Sequence, residues 1–129
     1  MTAVDTNVLV RIITQDDQAQ AERAVAFLEA QDRIFLTKTV LLEVERVLRS
    51  AYSYSAQQIL SAVRALLNRK NVEVEDEVAV AHAMNWCEQG MDFADSLHLA
   101  SAGPRRFVTF DAALQRKARR VGVGKIALL

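Results

Sequence analysis

Carboxylates are the side chains of this sequence that could do chemistry as a group. Asp5 and Asp111 each follow a short apolar run of strand type. Asp92 and Asp95 stand three residues apart near a predicted helix start, which places both on one face of that helix. Glu43 interrupts an apolar stretch early in another helix, where a buried carboxylate needs a partner or a metal. Together they could act as oxygen ligands.

The shared chemistry of these acids indicates a metal site. Acids that emerge at one edge of a sheet repel one another unless a positive charge lies among them. A hard divalent cation with oxygen ligands, Mg²⁺ or Mn²⁺, suits such a group. Without the metal, the repulsion predicts a raised pKa for at least one of the carboxyls.

Each acid also has a purely structural explanation when it is taken alone. An aspartate that follows a strand or precedes a helix is a common N-cap, because its side chain accepts hydrogen bonds from the first free N–H groups of the helix. Glu43 could pair with Arg46, and Glu45 with Arg49, as ordinary ion pairs on a helix surface. The argument for a metal site therefore rests on the joint placement of the acids.

Short apolar runs alternate with longer segments of helical period, and this alternation predicts an α/β fold. A further apolar run covers residues 8–13. We expect a single domain, residues 1–129, with a mainly parallel central sheet of four to five strands flanked by about seven helices. Ligands of such sheets bind beyond the carboxyl ends of the strands. The predicted strands are 2–4, 34–36, 72–74, 106–109 and 125–129, and the predicted helices are 16–31, 40–51, 55–68, 76–89, 92–102 and 111–121.

Composition excludes several classes of protein. Of the 129 residues, 51% are hydrophobic and 25% are charged, with 16 basic and 16 acidic side chains. This balance argues against a disordered tail and against nucleic-acid coating through bulk positive charge. Cys87 is the only cysteine, so the chain has no internal disulfide. No apolar run approaches the roughly 20 residues of a membrane helix, and no leader is evident, so we expect a cytoplasmic protein.

Four segments of the sequence together resemble one family of enzymes. The sequence resembles the PIN domain, a family of metal-dependent ribonucleases, and most closely the VapC toxins of bacterial toxin–antitoxin pairs. A single DTN triplet would be a weak sign, but four segments in this order are specific and span nearly the whole chain. They are residues 4–9 (VDTNVL), 43–48 (EVERVL), 92–98 (DFADSLH) and 108–111 (VTFD).

The resemblance assigns roles to individual residues. It implies an endoribonuclease in which a metal-activated water hydrolyses RNA, with Mg²⁺ or Mn²⁺ bound directly by Asp5 and Asp95. The other two acids would bind through water, complete a second metal site or orient the attacking water, so the number of metals stays open. The implied catalytic acids are Asp5, Glu43, Asp95 and Asp111, and the supporting residues are Thr6, Asn7, Asp92 and Thr109. Glu43 is preferred to Glu45 because of the residues that follow it, Val47-Leu48.

The resemblance also implies partners. RNA is the expected substrate, a VapB-like antitoxin the expected inhibitor, and a homodimer the expected assembly, with apolar surface on the early helices as its interface. The densest basic groups are 105–106, 116–117 and 119–120. Cations late in a helix also complement its dipole, so an RNA role for them is a weaker prediction. The candidate RNA contacts are Arg46, Arg49, Arg116 and Arg119.

Two other classes remain as alternatives. A phosphatase of the haloacid dehalogenase type also has an aspartate after its first strand, but it needs a second aspartate two residues later. Asn7 occupies that position here, which argues against this class. A catalytically silent PIN-fold module that binds RNA or protein would keep the fold without the activity. The presence of all four acids favours the enzyme.

Overall fold

The computed structural model describes residues 1–129, which form seven helices and five short strands. The strands are β1 (Thr2–Ala3), β2 (Ile34–Leu36), β3 (Val72–Val74), β4 (Phe107–Thr109) and β5 (Ile126–Leu128). The helices are α1 (Thr6–Thr14), α2 (Gln18–Ala30), α3 (Lys38–Ala51), α4 (Ala56–Leu67), α5 (Glu77–Glu88), α6 (Phe93–Ser101) and α7 (Ala112–Arg120). The predicted α/β class, with its helices and parallel strands, is confirmed.

All strand pairs are parallel, and they form two ladders. The first has the order β1-β2-β3, and the second pairs β4 with β5. The five strands therefore do not share the one continuous ladder that a single central sheet of four to five strands would have. Each strand is only two or three residues long, so each ladder contains few hydrogen bonds. Helix packing must supply most of the stability.

The chain divides into two compact units, Met1–Glu75 and Asp76–Leu129. The first contains β1 to β3 and α1 to α4, and the second contains β4, β5 and α5 to α7. We call them unit 1 and unit 2. No helix of either unit is long and apolar enough to cross a membrane.

The helices of unit 1 bury apolar stripes of the kind the sequence predicts. Leu41, Val44 and Leu48 recur at helical spacing on α3, and all three are fully buried. The predicted capping box opens α4, since the Ser55 side chain accepts from Gln58 N and the Gln58 side chain accepts from Ser55 N. The apolar stripe determines which face α3 buries, and the capping box fixes where α4 begins.

The apolar run 8–13 belongs to a helix. Asp5 caps α1, whose buried residues are Thr6, Leu9 and Val10. The helix ends at Gln15, which adopts a left-handed conformation and donates its N–H to Arg11 O. The first strand was predicted over residues 2–4, and in the structure it is the two-residue strand β1.

Unit 2 has its own small apolar core. Its buried members are Met91, Leu99, Leu114, Ala118 and Ile126. Half-buried side chains of α5, β4 and the segment after α7 pack against this cluster, among them Trp86. As predicted, Gly90 follows the last turn of α5, with a φ of 102° that suits glycine.

Candidate active site

The carboxyl ends of β1 and β2 lie side by side in unit 1. Thr2 pairs with Ile34 and Ala3 with Phe35, so both strands run out at the same edge of the ladder. β1 leads through Val4 into Asp5, and β2 leads directly into the start of α3, the helix that carries Glu43. This is the edge at which parallel sheets bind ligands.

Asp5 combines a structural role with a free oxygen. Its Oδ1 accepts a hydrogen bond from Thr6 N at 2.8 Å and so caps α1. Its second carboxylate oxygen has no hydrogen-bond partner, and the residue is exposed. The hydroxyl of the neighbouring Thr6 is buried and also lacks a partner. Asp5 is thus an N-cap, as the structural explanation predicted. Its second carboxylate oxygen remains available to bind a ligand.

Glu43 and Glu45 differ sharply in their surroundings. The Glu45 side chain is only 7% exposed and accepts two bonds from Arg49, from Nε at 2.9 Å and from Nη2 at 3.4 Å. Glu43 is half-exposed, and its contact with Arg46 is a loose 4.0 Å. Both ion pairs that were foreseen as structural alternatives are therefore present. Glu43 is the carboxylate of the two that remains accessible.

Sequence reasoning overlooked a further acid at this edge, Glu75. It directly follows β3 and donates its N–H to Leu36 O at 2.8 Å. Its Oε1 accepts a bond from Lys38 N at 2.8 Å, which places the carboxylate at the amino end of α3. The rule that singled out Asp5, an acid directly after a strand, also applies here and could have found it.

In unit 2, Asp92 is the N-cap of α6, the helix that carries Asp95, and Asp111 is the N-cap of α7. Asp92 Oδ2 accepts from Asp95 N at 3.0 Å at the start of α6. Asp111 Oδ1 accepts from Leu114 N at 3.0 Å at the start of α7. The Thr109 hydroxyl accepts from Asp111 N at 3.0 Å, which fixes the backbone of Asp111 after β4.

Electrostatics link three acids of unit 2. Partial burial, followed by the negative charges of Asp92 and Asp111, raises the pKa of Asp95 above its usual value of 3.8. His98 and Lys117 oppose the shift without cancelling it. Burial is thus the main cause of the raised pKa of Asp95, and repulsion from Asp92 and Asp111 adds to it.

Comparison with known proteins identifies the family. The family model described as "PIN domain" matches residues 2–120, which is most of the chain and runs through both units. The chain belongs to the PIN domain family. PIN domains are mostly metal-dependent nucleases, and they typically bind Mg²⁺. No curated protein is significantly similar to this one.

The acids of this PIN domain have the chemistry that Mg²⁺ requires, although their present positions do not form a ligand cluster. No three His, Cys, Asp or Glu side chains stand together as a group that could hold a metal ion. The donors are nevertheless all carboxylate oxygens, and burial together with the charges of Asp92 and Asp111 raises the pKa of Asp95. Mg²⁺ retains several waters and needs only one or two carboxylates, so the donor set fits this ion.

The predicted RNA-contacting cations of the PIN domain differ in availability. Arg49 is held by the buried Glu45, whereas Arg46 is mostly exposed and only loosely paired. Arg116 and Arg119 are exposed on α7, the helix that Asp111 caps. A phosphate backbone could therefore reach Arg46, Arg116 and Arg119 without first breaking a tight ion pair.

Proposed function

We propose that this PIN domain is a Mg²⁺-dependent endoribonuclease and the toxin of a VapC-type toxin–antitoxin pair. The observation that carries the nuclease proposal is the placement of carboxylates at strand and helix ends, where Asp5 keeps one oxygen without a hydrogen-bond partner and Asp95 lies near enough to Asp92 and Asp111 for their charges to add to the effect of burial on its pKa. Accessible carboxylate oxygens favour binding of a divalent cation. The toxin role rests on the resemblance of the four sequence segments to VapC proteins.

The acids would have different roles in this nuclease. Asp5 and Asp95 would hold the metal, Asp5 through the oxygen that is not used in capping α1. Glu43 and Asp111 act through bound waters or orient the attacking water. When bound, Mg²⁺ screens the charge of the phosphodiester, acidifies a water and steadies the leaving oxygen. Asp92 adds negative charge beside Asp95.

Neutral neighbours would hold these acids in position. Thr6 is buried beside Asp5, and the Thr109 hydroxyl fixes the backbone of Asp111. Asn7 is exposed on the first turn of α1, where its amide can reach a ligand or a water. These residues are positioning groups in the proposal.

The proposal treats residues 1–129 as a single domain. The family model supports this, since its match is continuous from residue 2 to residue 120. The order of the acids along the chain is the order that the resemblance implies. In this proposal, the phosphates of the RNA would bind to three exposed cations, Arg46, Arg116 and Arg119.

Cleavage of a mixed RNA pool by the purified protein tests this function. We expect endonucleolytic cleavage with Mg²⁺ that leaves 5′-phosphate ends, and no cleavage with excess EDTA. Asp5→Asn should abolish the activity, because asparagine can still cap α1 but carries no charge for a metal.

Asp17→Asn is the matched control for this experiment. Asp17 is the N-cap of α2 as Asp5 is of α1, although it accepts from Gln20 N three residues on, and no role in the site is proposed for it. It should therefore cleave like the original protein. Cleavage that survives EDTA or Asp5→Asn would contradict the proposal. A folded protein that is free of antitoxin, cleaves no RNA and binds no Mn²⁺ in calorimetry would instead be a silent PIN-fold binding module.

The proposed partners are a VapB-like antitoxin and a second copy of the chain. A groove of about 440 Å³ on α1 and α2 has Val8, Ala24 and Phe27 in its lining beside polar side chains, and Phe27 is 40% exposed. Covering such a surface in a homodimer would remove apolar area from water. Phe27→Glu should then shift the molecular mass in solution from dimer to monomer, as measured by light scattering. A monomer before the substitution would refute this interface.

A further inference from the structure

Unit 2 contains a pocket that the proposed active site does not use. Its volume is about 540 Å³, within the range of small-ligand sites. It lies among α5, the carboxyl end of α6 and the loop before β5. We call it the Trp86 pocket, after the largest side chain in its lining.

The Trp86 pocket and the acids of unit 2 lie at opposite ends of the same elements. Asp95 is in the first turn of α6, whereas Leu99 to Ser101, which line the pocket, are at its end. Asp111 follows the carboxyl end of β4, whereas Arg105 precedes its amino end. The nine residues of α6 span about 13 Å. The pocket is therefore separate from Asp95 and Asp111.

Two aromatic rings form one wall of the pocket. His82 and Trp86 are one turn apart on α5, with ring centroids 5.6 Å apart and a tilt of 31°. Trp86 is half-buried because it packs against the core of unit 2, which fixes its position. A rigid, partly exposed indole is a surface on which a planar base can stack, whatever the identity of that base.

Two cations stand at the rim of the pocket. Arg105 Nη1 donates to Ala102 O at 3.2 Å, and Lys125 Nζ donates to Pro104 O at 3.1 Å. Both bonds go to backbone carbonyls, and neither side chain has an ion pair with a carboxylate. Their positive charges are thus oriented but not neutralised. The carboxylate of the lining, Asp76, caps α5 through Ala79 N.

The loop before β5 leaves the pocket open. A Cβ atom built at Gly122 or at Gly124 meets nothing within 4 Å, so these glycines border empty space. The aromatic wall can stack with a base, the two cations can bind a phosphate, and the loop leaves the pocket unobstructed. These three features together suit a nucleotide. An aliphatic ligand would leave the two cations without a function.

We propose that the Trp86 pocket binds one unpaired nucleotide of an RNA strand, with its base on the Trp86 and His82 rings and its phosphate between Arg105 and Lys125. That the strand is RNA rests on the proposed nuclease function. The pocket would then retain substrate at a distance from the point of cleavage.

The fluorescence of Trp86 gives a direct test, since it is the only tryptophan of the chain. The titration uses an RNA tetramer in the presence of EDTA, which prevents metal-dependent cleavage. We expect a saturable change in the emission of Trp86. Inorganic phosphate serves as a second probe, and an equal response to it would overturn the stacking role of the rings.

Substitutions at the rim test the role of the cations. Arg105→Gln and Lys125→Gln should each reduce the slope of log affinity against log salt by about 0.7, the value for one phosphate contact on a single strand. Lys70→Gln removes one exposed charge in unit 1, outside the lining, and should leave the slope unchanged. Equal slopes in all three variants would overturn the assignment of the cations.

A pocket-filling variant tests the stacking without touching the core. Gly124 has no left-handed φ and has space around its Cβ position, so Gly124→Leu should fold. Filling the pocket should weaken binding of the tetramer roughly tenfold, within the range for loss of one stacked base. Unfolding curves establish that the variant is folded. Unchanged affinity in a folded Gly124→Leu, or no saturable response in the original protein, would overturn the proposal.

The same titration separates this proposal from the nuclease proposal. Binding is measured without metal, so it does not depend on the metal that the nuclease proposal requires. In cleavage assays, Gly124→Leu should raise KM and leave kcat unchanged. Binding without any cleavage would refute the nuclease alone, whereas cleavage without any response of Trp86 would refute the pocket alone.

Discussion

Asp5, Asp92 and Asp111 each use one carboxylate oxygen to cap a helix. An N-cap requires an oxygen acceptor but no charge, whereas a metal site requires the charge as well. Asparagine satisfies the first need and fails the second. At these positions, substitution by asparagine or by alanine can therefore separate stability from chemistry.

Asp111 is the clearest place to apply this difference. Asp111→Ala removes the acceptor for Leu114 N and should lower the free energy of unfolding by about 1 kcal/mol. Asp111→Asn should retain most of that stability, and both variants should lose cleavage activity. Urea unfolding and RNA cleavage rates measure the two effects. An active Asp111→Asn would show that Asp111 is only a cap.

Asp95 should destabilise the metal-free protein at neutral pH. Its pKa is raised in the folded state, so folding opposes its ionisation. The resulting loss of folding free energy is present when the pH lies above the raised pKa. It disappears as the pH falls below the ordinary pKa of 3.8. Asp95→Asn should therefore raise Tm in EDTA at pH 7, and the difference from the original protein should vanish in acid. A lower Tm for Asp95→Asn at pH 7 would contradict this account.

The choice between Glu43 and Glu45 shows what the sequence of a site can and cannot reveal. The residue types and their order identified Asp5, Asp95 and Asp111 as candidates. Neighbouring glutamates on one helix, however, differ only in which face they occupy, and tertiary packing decides that. The burial of Glu45 against Arg49 is visible only in the structure.

At the scale of elements, helices were easier to predict than strands. The stripe on α3 and the capping box of α4 follow from spacing and side-chain chemistry, and both are present. The run 8–13 is nearly all apolar, so it carries no periodicity that distinguishes α1 from a strand. Strands of two or three residues are too short to show an alternating pattern, and no local signal divides them into two ladders.

The stripe on α3 should account for a large share of the stability of unit 1. Leu48 is fully buried, so Leu48→Ala should lower the free energy of unfolding by about 2–5 kcal/mol through lost transfer energy and a cavity. Leu129 is 77% exposed, and Leu129→Ala should change it by less than about 0.5 kcal/mol. Urea denaturation of both variants checks the contrast. Equal losses of unfolding free energy in the two variants would mean that the stripe on α3 contributes no more to stability than an exposed residue does.

At the scale of the whole molecule, natural fluorophores distinguish the two units. Both tyrosines, Tyr52 and Tyr54, are in unit 1, and the only tryptophan, Trp86, is in unit 2. If residues 1–129 form one domain, tyrosine and tryptophan signals should report the same unfolding transition. Two separate midpoints in urea would show that the units unfold independently and would contradict the single-domain prediction.

The central proposal is a metal-dependent nuclease that needs both Asp5 and Asp95. A double-mutant cycle of Mg²⁺-dependent RNA cleavage with Asp5→Asn, Asp95→Asn and the double variant tests it most directly. Residues that act as a unit give non-additive losses, so we expect each single variant to lose nearly all activity and the double variant to lose little more. Independent losses that multiply, or a single variant with unchanged cleavage, would contradict the account.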